Sequence, residues 1–217
     1  MRRMTKLSAI AAAALLGAAG VTATNASAAA QASWTVTNPA ADDKFTAVNV
    51  AGTTAVLTNK STGAQVTCRT IAASGTAVDG VDSDGIGLAI IQTATFGSSA
   101  SKCTGPLGST WIATSNAPMS LNGSSYSAGV TKGNITGIDV KLTGTSIAGT
   151  CSARIRGTAN TGTYTNSTGV LSIADDATPA LTISEVTGAC AGLLNNGNVA
   201  TFRAQYKVTP ILTVTSP

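Results

Sequence analysis

Short runs of β-branched and aromatic residues, separated by turns rich in Gly, Asn and Ser, recur along the chain beyond Ala30. No stretch there shows the sustained 3.6-residue apolar period of an amphipathic helix. This density of strands predicts an all-β fold, an antiparallel β-sandwich or a barrel-like variant, with about ten to twelve short strands. The predicted strands are Trp34–Thr37, Ala47–Val50, Thr54–Thr58, Gln65–Ile71, Gly87–Phe96, Thr110–Thr114, Ile135–Leu142, Cys151–Arg156, Val170–Ile173, Ala180–Val186, Val199–Val208 and Ile211–Val214.

Alternation of side chains along these strands predicts the core. One face of the Val199–Val208 strand carries the more apolar set and should be buried. Gln92 is expected to share a face with Ile90, Ala94 and Phe96 unless a bulge intervenes. The residues assigned to the core are Trp34, Phe96, Trp111, Ile138, Val140, Leu142, Ala200, Phe202, Ala204, Tyr206 and Val208.

Residues 1–28 have the features of a secretory signal peptide. Arg2, Arg3 and Lys6 precede an uncharged, Ala- and Leu-rich run that ends in the small-x-small sequence of residues 26–28. The apolar run is shorter and more Ala-rich than the roughly 20 strongly apolar residues that cross a bilayer. We therefore expect cleavage after Ala28, a secreted single β domain over residues 29–217, and no membrane span after cleavage.

Cleavage changes the charge of the protein. The whole chain has a formal net charge of +4, but removal of three of its thirteen basic residues leaves ten against nine acidic ones, a net charge of +1. So small a charge gives little field to attract nucleic acid, which is not expected as a partner. Charged residues make up only 10% of the chain, and low charge favours self-association or adhesion to a surface.

The four cysteines, Cys68, Cys103, Cys151 and Cys190, all follow the signal peptide. An even number in an exported chain predicts two disulfides, for which three connectivities exist. The long spacings and the absence of histidine from the sequence disfavour a zinc site, and no cofactor is expected.

An internal repeat favours one of the three connectivities. Segments 45–115 and 130–208 each contain a strand ending in a cysteine and a later strand that leads into Cys-x-Gly. The simplest interpretation is one disulfide in each segment, Cys68–Cys103 and Cys151–Cys190. The same pattern suggests that the domain arose by duplication.

Catalysis by the common nucleophilic or metal-based routes is excluded by composition. Without histidine there is no Ser-His-acid, Cys-His or His-metal arrangement, and disulfide formation removes the thiols. A pair of carboxylates could hydrolyse a glycoside, but of the acidic residues only Asp139 and Glu185 lie in predicted strands and nothing indicates that they meet. The sequence therefore predicts a protein that is not an enzyme, with a histidine-free hydrolase as the least favoured alternative.

The Asp79–Gly85 segment resembles a calcium-binding loop because Asp79, Asp82 and Asp84 provide hard oxygen ligands beside glycine. It departs from the EF-hand pattern at both ends, where Gly80 and Ile91 occupy ligand positions. A polar surface turn is the favoured interpretation and a calcium site the weaker one.

The order of these motifs resembles small, uncharacterised, secreted four-cysteine proteins of actinomycetes, and it is distantly similar to the PraB-type family of secreted alkane oxidation activators. The resemblance is carried by Cys68, Ile90-x-x-x-Ala94-Thr95-Phe96, Cys103, Trp111, Gly137-Ile138-x-Val140, Gly149-x-Cys151 and Cys190. It implies a non-enzymatic extracellular protein linked to the cell surface, to biofilm or to growth on apolar substrates. It transfers no catalytic residues.

Together these features predict a secreted, non-catalytic protein that acts at the cell surface or in the extracellular matrix, by adhesion, biofilm formation or binding of an apolar or glycan surface. The alternative is a secreted binding module or inhibitor that meets a protein partner through a loop such as Gly97–Gly108.

Overall fold

The structure is a computed structural model that describes residues 33–82, 84–175 and 181–216, so the predicted signal peptide lies outside the described residues. Within them there are sixteen strands, one short 3-10 turn at Pro106–Gly108, and no helix of the length and apolarity that crossing a bilayer requires. The strands are β1 (Trp34–Thr37), β2 (Lys44–Asn49), β3 (Ala55–Asn59), β4 (Gln65–Cys68), β5 (Ile71–Thr76), β6 (Gly80–Asp82), β7 (Ala89–Phe96), β8 (Cys103–Thr104), β9 (Thr110–Ser115), β10 (Met119–Ser127), β11 (Val130–Ser146), β12 (Gly149–Thr165), β13 (Val170–Asp175), β14 (Leu181–Gly188), β15 (Val199–Thr209) and β16 (Thr213–Thr215).

Thirteen strands form one antiparallel sheet, and β1 lies between β16 and β6 in a second sheet of three. The pairings of the large sheet close into two rings of eight strands. One contains β2, β5, β7, β10, β11, β12, β13 and β15, and the other contains β3, β4, β8, β9, β11, β12, β14 and β15. The predicted all-β antiparallel fold is confirmed, in its barrel-like form.

The rings share β11, β12 and β15, and each ring joins a block of strands from the first predicted repeat to a block from the second. β15, for example, pairs with both β2 and β3. The described residues consequently belong to one compact unit. The origin by duplication stays a prediction.

The long hairpin of β11 and β12 forms part of the wall of both rings. Its register runs from Val130 opposite Thr165 to Ser146 opposite Gly149. At the turn, the Ser146 hydroxyl accepts a hydrogen bond from the Ala148 N–H at 3.0 Å, and Gly149 has φ +126°, which favours a residue without Cβ.

The core follows the predicted alternation. In β15, Ala200, Ala204, Tyr206 and Val208 are buried, and Phe202 is half-buried. Phe202 meets the half-buried Phe96 edge to face, with ring centroids 5.4 Å apart. The remaining predicted core residues are buried, apart from the half-buried Ile138; they are Trp34, Trp111, Val140 and Leu142.

A bulge in β7 changes which of its residues face inward. Ser74 of β5 lies opposite Thr93, but the next residue, Gly75, lies opposite Ile91, so Gln92 is the extra residue. A Cβ at Gly75 would approach the Ile90 carbonyl oxygen to 2.0 Å, which shows how closely the two strands meet there. Gln92 is therefore exposed, and Ile91 takes the inward position before the bulge.

Two inward-facing rows of side chains cross opposite ends of the β11–β12 hairpin. The tryptophan row consists of neighbouring residues on four adjacent strands, and every member except Gly144 is at most 3% exposed; it is Cys103, Trp111, Gly144 and Cys151. The threonine row crosses β11, β12, β13 and β15 and consists of Thr131, Tyr164, Leu171 and Tyr206.

The interior is not completely filled. A cavity of about 160 Å³ lies inside the large sheet. Many of the side chains around it are small, and its lining includes all of the threonine row. The alanines that line it are Ala47, Ala55, Ala73, Ala89, Ala94, Ala113 and Ala159. At the usual cost of about 24 cal/mol per Å³, an empty void of this size destabilises the fold by on the order of 4 kcal/mol.

Candidate functional site

Both predicted disulfides are present. Cys68 is bonded to Cys103 and Cys151 to Cys190, with Cα–Cα distances of 4.2 and 4.8 Å. All four cysteines are buried, so they serve as cross-links between β4 and β8 and between β12 and the segment after β14. No thiol is left among them to act as a nucleophile.

The carboxylates of the Asp79–Gly85 segment accept hydrogen bonds from main-chain N–H groups. Asp79 accepts a hydrogen bond from the N–H of Asn38, and Asp82 accepts two, from Asp84 at 2.9 Å and Gly85 at 2.7 Å. Asp84 accepts one from Ile86 at 2.9 Å. The described part of the chain brings no three acidic or sulfur-bearing side chains together as a metal site. Asp82 and Asp84 thus stabilise local turns, whereas Asp79 connects its segment to the residue that follows β1.

The largest charged cluster is an ion-pair network on the outer face of β11, β12 and β14. Arg154 forms a bidentate pair with Asp139, with both N–O distances 2.9 Å, and its third nitrogen lies 3.5 Å from Glu185. Arg156 lies 2.6 Å from Glu185 and 3.4 Å from Asp139. Two carboxylates and two guanidiniums are thus joined. Of these, Arg154 and Glu185 line a shallow surface groove together with Lys141.

The network holds both carboxylates ionised. Burial alone would raise the pKa of Asp139, but a hydrogen bond from Asn116 and the charges of Arg154 and Arg156 outweigh it and lower that pKa. The hydrogen bond from Arg156 lowers the pKa of Glu185 despite some desolvation. Neither group can serve as the protonated general acid that glycoside hydrolysis requires near neutral pH.

Sequence reasoning missed the connection between Asp139 and Glu185. The signal was the Arg154-x-Arg156 alternation, which puts both guanidiniums on the outer face of β12, opposite Lys141 and Asp139. Glu185 was harder to place because it is in a one-residue bulge, where its φ of +50° is unusual for a residue with a Cβ. Such a bulge redirects a side chain, and here it brings the carboxylate to the two arginines.

Beside the network, the same sheet presents a neutral surface of hydroxyl groups. We define the hydroxyl face as the outward side chains of Thr46, Ser74, Thr93, Thr95 and Thr114, on the adjacent strands β2, β5, β7 and β9. The hydroxyls of Ser74 and Thr93 lie 2.8 Å apart. All but the half-buried Ser74 are exposed, and none of the five carries a charge.

Comparison of the chain with protein-family models, curated proteins and solved structures gives no match. The function therefore has to be argued from the geometry of these surfaces and of the interior.

Proposed function

We propose that this is a secreted, non-catalytic protein that binds neutral glycans at the cell surface or in the extracellular matrix through its hydroxyl face. The observation that carries the proposal is the arrangement of five hydroxyl side chains on four adjacent strands, without a charged group among them. Strands about 4.8 Å apart repeat donors and acceptors at a regular spacing. A polymer of sugar hydroxyls can match such an array at several points at once.

An extracellular location is supported by the two disulfides, which persist in oxidising compartments. The resemblance to secreted four-cysteine proteins points the same way. Sequencing the N-terminus of protein recovered from a culture medium or cell wall should begin at Ala29. If the recovered chain still begins at Met1, residues 1–28 are not cleaved and the proposed signal peptide is wrong.

A role without catalysis is supported by the bonding of the cysteines and the ion pairing of the carboxylates. All four cysteines are in disulfides, and the lowered pKa values of Asp139 and Glu185 leave both as carboxylates paired to arginine. A panel of neutral oligosaccharides and esters should show no turnover. Release of any product by the purified protein, lost in Glu185→Gln, would favour the hydrolase.

Adsorption to solid surfaces tests the glycan as the target. Thr46→Val, Thr93→Val and Thr114→Val together remove three hydroxyls at nearly constant volume and keep β-branched residues in the strands. We expect the wild-type protein to be depleted from solution by insoluble cellulose or chitin, and the triple variant to bind at least about ten-fold more weakly, since each lost hydrogen bond is worth roughly 1 kcal/mol.

The matched control is a second triple variant, Thr143→Val, Thr182→Val and Thr187→Val, which removes exposed hydroxyls outside the hydroxyl face. It should bind the polysaccharide like the wild type. Adsorption to polystyrene separates the two kinds of surface. If the hydroxyl-face variant keeps its affinity for cellulose and chitin, or if the wild type adsorbs only to polystyrene, the glycan proposal is wrong.

The second candidate function is that of a binding module for a protein partner, and one residue favours it. Leu107 lies in the Pro106–Gly108 turn, near the end of the Gly97–Gly108 loop, and is 62% exposed. Its φ of +56° is a conformation that costs energy for a residue with a Cβ. The loop is held by the Cys68–Cys103 disulfide and by the Gly105 N–H, which donates to the Ser109 carbonyl at 2.8 Å.

Leu107→Asp tests this candidate. A protein partner recovered from culture medium by the wild type should be lost with Leu107→Asp and kept with the hydroxyl-face triple variant. If one partner is recovered equally well by all three proteins, the loop is not its binding site.

A further inference from the structure

The cavity inside the large sheet has a mainly apolar wall with one unpaired hydroxyl group among the described residues. Its 160 Å³ are bounded mainly by aliphatic and aromatic side chains, and none of the described residues that line it is charged. The lining also includes Asn122 and Asn134, whose side-chain amides bond to each other. A water molecule needs two to four polar partners, whereas an apolar molecule of suitable size has no such requirement.

In the described part of the chain, Thr131 carries the hydroxyl group without a hydrogen-bond partner. It is 6% exposed, lines the cavity, and its hydroxyl has no hydrogen-bond partner among the described residues. Buried hydroxyls are normally satisfied, so a native structure that keeps one unpaired needs a reason. A ligand group that bonds to Thr131 would supply one.

Tyr164 and Tyr206 carry the other hydroxyl groups of the threonine row. Burial raises the pKa of Tyr206, so its hydroxyl stays protonated and can donate. The Tyr164 hydroxyl donates to the Leu212 carbonyl and accepts from the Leu212 N–H, both at 2.9 Å. Among the described residues, Thr131 alone has a buried side-chain oxygen without a hydrogen-bond partner.

Glycine contributes to the space beside this row. Gly162 lines the cavity and lies two residues before Tyr164 on β12, so it faces the same side of the strand. A Cβ added there would have only main-chain neighbours among its nearest atoms, none closer than 3.5 Å. A methyl group could therefore be added at this point without a clash.

We propose that this interior cavity binds a small, neutral, single-chain amphiphile of about six to ten carbon atoms, with its one hydroxyl or carbonyl group at Thr131. The size follows from the volume, since an apolar protein cavity of about 150 Å³ binds benzene. The neutrality follows from the lining, because no basic group is present to pair with a buried carboxylate. The site is separate from the hydroxyl face and does not depend on glycan binding.

The probes that test it are 1-octanol and octane, which differ in one hydroxyl, together with xenon under pressure. We expect each to shift the NMR signals of methyl groups in the lining, such as those of Leu171 and Ile173. In Thr131→Val the affinity for 1-octanol should fall about five-fold, because one buried hydrogen bond is lost, while the affinity for octane stays the same. In Gly162→Val the affinity for both should fall, because the new side chain occupies the space.

Thr143→Val is the matched control. Thr143 is exposed on the outer face of β11, so this variant should bind both probes like the wild type. The proposal is overturned if none of the three probes shifts the lining signals, if Thr131→Val weakens octane as much as 1-octanol, or if a bound water is found at the Thr131 hydroxyl and 1-octanol does not displace it. Should Gly162→Val not fold, Ala73→Leu replaces it, since Ala73 also lines the cavity.

Discussion

The tryptophan row and the threonine row lie across the same two long strands, yet their packing is opposite. In the first, a Cβ at Gly144 would come within 2.3 Å of the Trp111 ring, and the indole N–H donates to Ser109 at 2.9 Å. In the second, the Thr131 hydroxyl has no partner among the described residues, and a Cβ at Gly162 would make only ordinary van der Waals contacts, the nearest at 3.5 Å. At the tryptophan row the interior is densely packed and the buried indole N–H is hydrogen-bonded. At the threonine row the interior contains a cavity and an unpaired hydroxyl.

The difference indicates which of the two rows contributes more to the stability of the fold. The tryptophan row contains one cysteine of each disulfide, so dense packing and both cross-links meet there. The threonine row is part of the wall of a cavity whose emptiness is unfavourable. Natural proteins deviate from complete packing mostly at functional sites, where stability provided elsewhere offsets the loss.

Truncation of large side chains should show the contrast most strongly. Trp111→Ala removes a side chain that is 1% exposed and should destabilise the protein by about 4 kcal/mol. Leu171→Ala, in the threonine row, should cost about 2 kcal/mol, because Leu171 is half-buried beside existing space. Urea unfolding with unchanged m-values measures both. Equal losses would mean that the two rows are packed alike.

The same substitution at two glycines sharpens the comparison. Gly144→Ala should destabilise by about 2–3 kcal/mol, because its Cβ meets Trp111 and the Thr110 carbonyl oxygen within 2.5 Å. Gly162→Ala should be neutral or stabilise by up to about 1 kcal/mol, because its Cβ fits with no contact closer than 3.5 Å and the unfolded chain loses freedom. Thermal unfolding of the pair is the measurement. A similar loss at both positions would contradict the room for a Cβ at Gly162.

Much of the fold was predictable because side-chain alternation in strands is a local property. The inward face of β15, the disulfide pairing and the burial of Trp34 and Trp111 all followed from spacing and residue type. β10 was missed, since residues 119–127 are rich in Ser and Asn, and only its neighbours β7 and β11 make the segment a strand. Sixteen strands rather than about twelve result from such pairings, including the short β6 and β8.

The candidate sites were less predictable because each depends on contacts between distant segments. The bulges at Gln92 and Glu185 change the direction of side chains by one residue, which alternation alone cannot locate. The hydroxyl face needs the order of four strands in the sheet. The unpaired hydroxyl of Thr131 and the cavity beside it are properties of packing, and no local pattern marks them.

The ion pair between Asp139 and Arg154 lies on the outer face of the hairpin, and removing its negative charge tests how much stability comes from the surface. Asp139→Asn breaks a bidentate pair with Arg154 and should destabilise by about 1–2 kcal/mol at pH 7. Because the pKa of Asp139 is lowered on folding, its contribution is present above about pH 4 and is lost as the pH falls through the folded value. The difference between variant and wild type should therefore disappear on acidification.

Asp42→Asn is the control for this charge effect. Asp42 also lies beside a basic group, 2.9 Å from Lys44, but both side chains are mostly exposed, so no measurable change is expected at either pH. Chemical unfolding at pH 7 and at a series of pH values below about 4 compares the two variants. If the Asp139→Asn difference does not shrink as the pH falls below about 4, the lost stability comes from packing and not from charge.

The smallest expected effects have opposite signs in the two rows. Ser109→Ala leaves the buried indole N–H of Trp111 without its partner and should destabilise by about 1–2 kcal/mol. Thr131→Val removes a buried hydroxyl that has no partner, at the same volume, and should stabilise the ligand-free protein by about 1 kcal/mol. Calorimetric unfolding of both variants decides this. Destabilisation by Thr131→Val would mean that the hydroxyl is already satisfied in the ligand-free protein, and the threonine row would then match the tryptophan row in its polar contacts.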